Sequence, residues 1–158
     1  MRINNRNKIS LYNFIHTWLL MFLLIGILGF LVEELKFNIL GVESCLMILV
    51  PAVLLVLFYL SGRQIFEYDS EGEAVHFRNR NIVPFLQNPL SDEFPKYKLI
   101  SYETVSILFI RKLYITISSK NNGRTLLKYE ISFLTKNQVK NLESSLNNII
   151  KANKEKRY

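Results

Sequence analysis

The sequence is poor in the residues that do chemistry. It carries one cysteine, Cys45, so no internal disulfide can form and nothing speaks for an oxidising compartment. The two histidines, His16 and His76, stand in different segments, one at the membrane edge and one in a strand, and with a single cysteine they do not build a zinc site, which takes about three or four protein ligands. No glycine-rich phosphate loop is present, and Gly72 and Gly123 stand among turn residues. Ser, Asp and His occur without a motif that would organise a nucleophile. The adjacent Asp92 and Glu93 read as a solvated acidic turn rather than a catalytic or metal pair. The expectation is a protein that is not an enzyme, with no cofactor, no catalytic residue and no bound metal.

Charge is also missing, from two long stretches. Residues 14–32 are nineteen in a row broken in polarity only by His16 and Thr17, and residues 45–60 are sixteen with no charge. Crossing a hydrocarbon core takes about 20 helical residues, so each run is long enough or nearly so. A buried core helix would explain one such run, but two in tandem with charged flanks fit a membrane hairpin better. A cleaved leader would explain the first, yet the run exceeds the roughly 7–15 residues usual there, and no small-x-small site follows Leu31. The reading is a two-helix transmembrane hairpin over residues 1–62, with helices at about 14–32 and 45–61, followed by a cytosolic domain over residues 63–158.

Orientation follows from Lys and Arg near the helix ends. Arg2, Arg6 and Lys8 precede the first helix, only Lys36 stands among Glu33, Glu34 and Glu43 between the two, and Arg63 opens a basic region after the second. The bias places both termini in the cytoplasm and the intervening turn outside. His16 and Glu43 lie near helix ends, where they reach the interface; lining a pore or relay is the alternative. Pro51 is tolerable in a spanning helix, and Gly26 and Gly29, three apart, are a weak packing signal.

The second part alternates. Residues 64–68 and 74–78 read as two strands joined by the turn chemistry of Asp69, Ser70 and Gly72. Residues 79–95 hold Pro84, Pro89 and Pro95 and read as an irregular loop, with at most an edge strand near 82–86. Residues 97–100, 105–110, 113–118 and 125–131 are rich in Ile, Leu, Tyr and Thr and read as further strands, Asn121, Asn122 and Gly123 making a hairpin turn. Thr135 three residues before Gln138 is a capping box, and Val139, Leu142, Leu146, Ile149 and Ile150 recur at helical spacing, so an amphipathic helix over about 135–151 closes the chain.

This series resembles small bacterial two-pass membrane proteins with a C-terminal pleckstrin-homology-like domain. The likeness rests on the segment Ile100 to Ser106, the strand at 113–118, the Asn-Asn-Gly turn, the strand at 126–131 and the helix start at Leu134 and Thr135. It implies an α+β domain: an antiparallel sheet or barrel capped by the terminal helix, at the inner membrane. The proline-rich insert at 79–95 departs from the pattern and leaves the first sheet open. Such domains share a fold and differ in ligand, so no functional residue carries over.

What remains is charge. Residues 63–158 hold sixteen Lys and Arg against ten Asp and Glu, a surplus of six. A basic domain tethered beside an anionic leaflet is attracted to it, and to nucleotides or nucleic acid as well, although a composition rich in Asn, Ile and Lys raises the charge without any ligand. Arg78 and Arg80 at a strand end, and Arg111 with Lys112 between strands, can pair with phosphate, and Arg124 and Lys128 join them across the Asn-Asn-Gly hairpin. Solvated strand-end cations are the plain alternative. The terminal Lys151, Lys154, Lys156 and Arg157 read as a frayed basic tail. The expected role is a non-enzymatic binding or scaffold module meeting membrane lipid or a partner protein. The alternative is a nucleotide- or oligonucleotide-gated effector of bacterial defence, whose hairpins assemble into a pore as a homo-oligomer.

Overall fold

The two apolar runs form helices α1 (Ile9–Val32) and α2 (Leu46–Leu60). The structure, a computed structural model, describes residues 1–37, 39–83, 87–119 and 123–156 and resolves into two units, Ser10–Leu60 and the union of Met1–Ile9 with Ser61–Tyr158. Together with the short helical turns that adjoin them, α1 and α2 make the segments Arg6–Phe37 and Gly41–Leu60, long and apolar enough to cross a membrane, and of the most apolar windows only 6% and 11% is buried. A core helix would bury most of that surface. α1 starts at Ile9, earlier than the apolar run itself.

Inside the hairpin unit the helices meet at a backbone contact. A Cβ on Gly26 would collide with the Met47 carbonyl oxygen, so only glycine permits this approach. Pro51, buried beside Gly26, has no N–H to donate to that same carbonyl four residues back. His16 Nε2 and the Tyr59 hydroxyl share a hydrogen bond of 2.7 Å across the pair. The turn is closed by Glu33, whose carboxylate accepts the backbone N–H groups of Ile39 and Leu40.

The second unit is α+β. Its strands are β1 (Arg2–Asn4), β2 (Ile65–Asp69), β3 (Ala74–Arg80), β4 (Leu90–Pro95), β5 (Leu99–Ile107), β6 (Ile110–Ser119) and β7 (Gly123–Glu130), and helix α3 (Lys136–Glu155) closes it. The strands form an antiparallel sheet β1-β2-β3-β4 and a second one β5-β6-β7. Three expectations are corrected here. The loop at 79–95 contains β4, whose Pro95 is accommodated because β4 is an edge strand and Pro95 its last residue. Residues 97–100 and 105–110 are not two strands: β5 runs through to Ile107 and the turn falls at Leu108 and Phe109. Arg111 and Lys112 therefore lie within β6, not between strands. The expected edge strand at 82–86 and the Asn121–Asn122 turn fall largely outside the described residues.

The first nine residues, read from sequence as a basic flank of the hairpin, belong to this unit. Arg2, Ile3 and Asn4 pair with Asp69, Tyr68 and Glu67. So the chain leaves the strand unit after Ile9 and returns to it at Ser61, and the two crossings flank adjacent strands of one sheet.

Buried amide side chains fix that return. Asn5 donates to the Gln64 carbonyl at 2.6 Å and accepts the Phe66 N–H at 2.9 Å, extending the β1–β2 pairing by one residue. Asn79 donates to the carbonyls of Ile65 and Glu130, both at 3.1 Å, and accepts the Glu130 N–H at 2.8 Å, which ties the first sheet to the second. All three amides, Asn5, Gln64 and Asn79, are buried.

The core joins both sheets and α3 in one cluster. Phe77 is its hub: its ring stacks on Tyr129 (4.7 Å between centroids) and Phe94 (5.8 Å) and lies tilted against Tyr68 and Phe66. Val139, Leu142 and Leu146 close one side. α3 begins with the expected capping box at Thr135 and Gln138 and runs to Glu155, past the expected end. The Gln138 amide also donates to the Asn4 carbonyl, and the Asn153 amide to the carbonyls of Lys96 and Leu99, so both ends of the helix are fastened.

Candidate functional site: a charged cleft on the first sheet

Alternation along β1, β2 and β3 turns Ile3, Tyr68 and Phe77 into the core and sends their polar neighbours outward. Register then aligns those neighbours in rows. Arg2, Asp69, His76 and Glu93 lie across four strands, and Asn4, Glu67, Arg78 and Ser91 lie one step along. The first two strands and β3 border a cleft of about 460 Å³ whose lining includes Arg2, Arg6, Arg78, Glu67, Asp69 and His76.

The charges in it are unequally spent. Arg2 donates through Nε (2.9 Å) and Nη2 (2.7 Å) to one oxygen of Asp69. The Glu71 backbone N–H and then Arg2 hold the Asp69 carboxyl below the usual carboxylate range, and Asp69 in turn raises the Arg2 guanidinium. Arg6 reaches Glu67 only at 4.0 Å, a loose pair, and His76 Nδ1 stands 3.3 Å from Glu93. Arg78 is opposite Glu67 in register yet forms no ion pair within 4.0 Å among the described residues. A cleft with one free guanidinium and a second loosely held can accept an anionic oxygen bidentately, while Asp69 and Glu67 fix the walls.

The six cations singled out from sequence do not converge. Arg78 and Arg80 lie exposed on the outward side of β3. Lys112, Arg124 and Lys128 lie on β6 and β7 of the other sheet, where Lys112 is opposite Glu130, and Lys128 and Glu103 both flank Tyr114. Arg111 is half-buried and already engaged: its Nε donates to Ser106 on β5, its N–H to Ser132 just past β7, and its carbonyl accepts the Ile131 N–H. What gathers around Arg78 is instead Arg2 and Arg6, which by sequence alone count as orientation signals before the first helix. The only hint was the polar-apolar-polar order of Arg2, Ile3 and Asn4, too short to read as a strand.

The membrane-segment residues separate as well. His16 is engaged with Tyr59, while Glu43 is exposed in the short turn Gly41–Cys45 that precedes α2. Among the described residues no three His, Cys, Asp or Glu side chains converge as a metal site. No protein-family model, curated protein or solved structure matches the chain, so the reading of this cleft stands on its chemistry.

Proposed function

We propose that the protein is a non-enzymatic, membrane-anchored binding module: a pleckstrin-homology-like domain, with a spanning hairpin looped out between its first two strands, held at the cytosolic face of a bacterial inner membrane to engage anionic headgroups through the Arg6–Arg78 cleft. The observation that carries this is the pairing of β1 with β2 across the whole hairpin. If α1 and α2 span, both flanks lie on one side of the bilayer. Close to the helix ends that side carries Arg2, Arg6, Lys8 and Arg63, and the intervening turn Lys36 alone. Such an imbalance is what the positive-inside bias favours in the cytoplasm. Four plus three antiparallel strands with a closing helix support the pleckstrin-homology-like reading. Near an anionic surface each basic side chain contributes on the order of 1 kcal/mol.

Cys45, the sole cysteine, is exposed beside the hairpin turn and serves as a native reporter. In intact spheroplasts a membrane-impermeant maleimide should label Cys45, while a C45S/S144C variant, with its thiol on the exposed side of α3, should label only after lysis; the reverse pattern would reject the topology. Reconstituted in neutral vesicles, the protein should capture vesicles containing phosphatidylglycerol but not phosphatidylcholine alone. Arg6→Glu with Arg78→Glu should weaken capture about tenfold or more, since at least two contacts of about 1 kcal/mol are lost. Capture indifferent to both changes would remove the cleft from the account and leave a partner protein as its occupant.

A further inference from the structure

Three consecutive apolar residues of the strand unit stand in solvent. At the β5–β6 turn Ile107 is 64%, Leu108 95% and Phe109 50% exposed. Single exposed apolar side chains are ordinary on protein surfaces, but a run of three has no place on a soluble face unless something uses it. The backbone sharpens the point. Ile107 pairs with Ile110, so Leu108 and Phe109 form a two-residue hairpin loop, and Leu108 sits at φ +53°, the only non-glycine residue with positive φ among those described. Asn-Gly or Asp-Gly would take such a loop freely; leucine adopts it against its own Cβ. Local folding thus argues against the residues that occupy the tip.

Cations follow at once, Arg111 and Lys112. The tip also has a defined place within its own unit. Lys112 is opposite Glu130 on β7, and Glu130 accepts the Arg63 N–H at 2.6 Å and pairs with the Arg63 guanidinium at 3.5 Å. Gly62 makes room for that carboxylate: a Cβ there, at φ +87°, would lie 2.6 Å from it. Gly62 and Arg63 are the second and third residues after the end of α2. So the apolar tip is at the end of the second sheet where the chain returns from the hairpin. At about 3.3 Å per residue it extends roughly 10 Å beyond the Lys112–Glu130 row.

The geometry points to the β5–β6 tip as a lipid-dipping wedge, in which Leu108 and Phe109 enter the headgroup–acyl boundary of an anionic bilayer and Lys112 meets the phosphates. This rests on the membrane reading above and adds a contact separate from the arginine cleft. A reach of about 10 Å suits the roughly 5–10 Å to which interfacial apolar faces are buried. Apolar tip and cationic base match the two layers of an anionic leaflet, whereas a protein groove would have no need of the cations below.

The chain has a single tryptophan, Trp18, so a Trp18→Phe, Phe109→Trp variant of the full protein reports on the tip alone. Reconstituted in nanodiscs containing phosphatidylglycerol, it should emit to the blue of an indole in water and be quenched by acyl chains brominated near the headgroup. Adding Lys112→Glu should shift the emission back toward the red. Leu108→Asn with Phe109→Gly should abolish the contact, read as lost thiol protection in an Ile107→Cys, Cys45→Ser background, yet raise the melting temperature in detergent by relieving the loop. A water-like, unquenched emission from protein that resists carbonate extraction overturns the wedge and spares the anchor. A blue-shifted emission that brominated chains do not quench overturns it too, since a protein then covers the tip. Extraction by carbonate removes the anchor, and the wedge falls with it.

Discussion

The hairpin unit and the strand unit bury opposite things. In the strand unit the interior is Phe66, Phe77, Leu113, Ile115, Leu142 and Leu146, each at most 1% exposed. In the hairpin the buried positions include Gly26, Glu33, Ser44 and Pro51, while Leu, Ile, Phe and Val line the outside. One polypeptide thus presents two kinds of surface, and in the proposed membrane setting it meets two solvents. Where water surrounds the unit, removal of apolar area from it holds the fold, and buried amides such as Asn79 fix the register. If lipid tails surround the hairpin, they are as apolar as leucine, and its cohesion must come from close backbone approach and a few polar pairs.

The comparison is broken most forcefully at each unit's centre. Phe77→Ala removes the ring that touches four other aromatic rings, at an expected cost of about 3–5 kcal/mol, much of a small domain's stability. Its strand unit should melt far below wild type in detergent, while the protein remains carbonate-resistant. Gly26→Leu should do the converse: a side chain there collides with the Met47 backbone, separating the helices with the strand unit's melting unchanged. Should either change unfold both units together, they form one cooperative body and the contrast is wrong.

A smaller effect separates the units by pH. The Tyr129 hydroxyl donates to Asp92 at 2.8 Å, and burial, with Asp92 adding to it, raises its ionisation far above the ordinary value of 10.0. The folded state therefore keeps a neutral phenol where the unfolded chain ionises. The stability this confers is complete below about pH 10 and is lost as pH rises beyond it. Tyr129→Phe keeps the stacking on Phe77 but gives up a hydrogen bond to a carboxylate, about 1.5–3 kcal/mol at neutral pH. Denaturant titrations across the alkaline range should show wild type falling toward the variant, and helical signal from the hairpin unaffected. Parallel curves for the two proteins would mean that the phenol is not shielded.

How much of this was legible depended on the range over which each element is specified. The hairpin, α3 with its Thr135–Gln138 box, and the β2–β3 pair were readable because periodicity and caps act within a few residues. β1 was not: its three residues gain meaning only from Tyr68 and its neighbours, more than sixty positions away. β4 hid behind prolines that an edge strand tolerates. The β5–β6 turn was misplaced because Leu108 and Phe109 look like strand and Arg111 and Lys112 like turn, the reverse of what folding alone would choose. In the site, alternation marked Arg78 and Arg80 as outward neighbours, but Arg2 and Arg6 came to the cleft only with β1.

The finest test concerns the polar pair inside the hairpin. His16 and Tyr59 share a 2.7 Å hydrogen bond on facing helices. In water such a bond between half-buried groups competes with solvent; in lipid it ought to be stronger, yet the separated helices also find polar partners there, and measured couplings average about 0.6 kcal/mol. A double-mutant cycle of His16→Phe and Tyr59→Phe, read by helical signal during unfolding of the micelle-bound protein, should return a coupling of about that size. A coupling of several kcal/mol would mean that the pair, not the Gly26–Met47 approach, holds the helices, and the hairpin would then depend on a polar lock as the strand unit depends on Asn79. No measurable coupling would leave cohesion to the backbone contact, and His16 would be available on the helix face for other use.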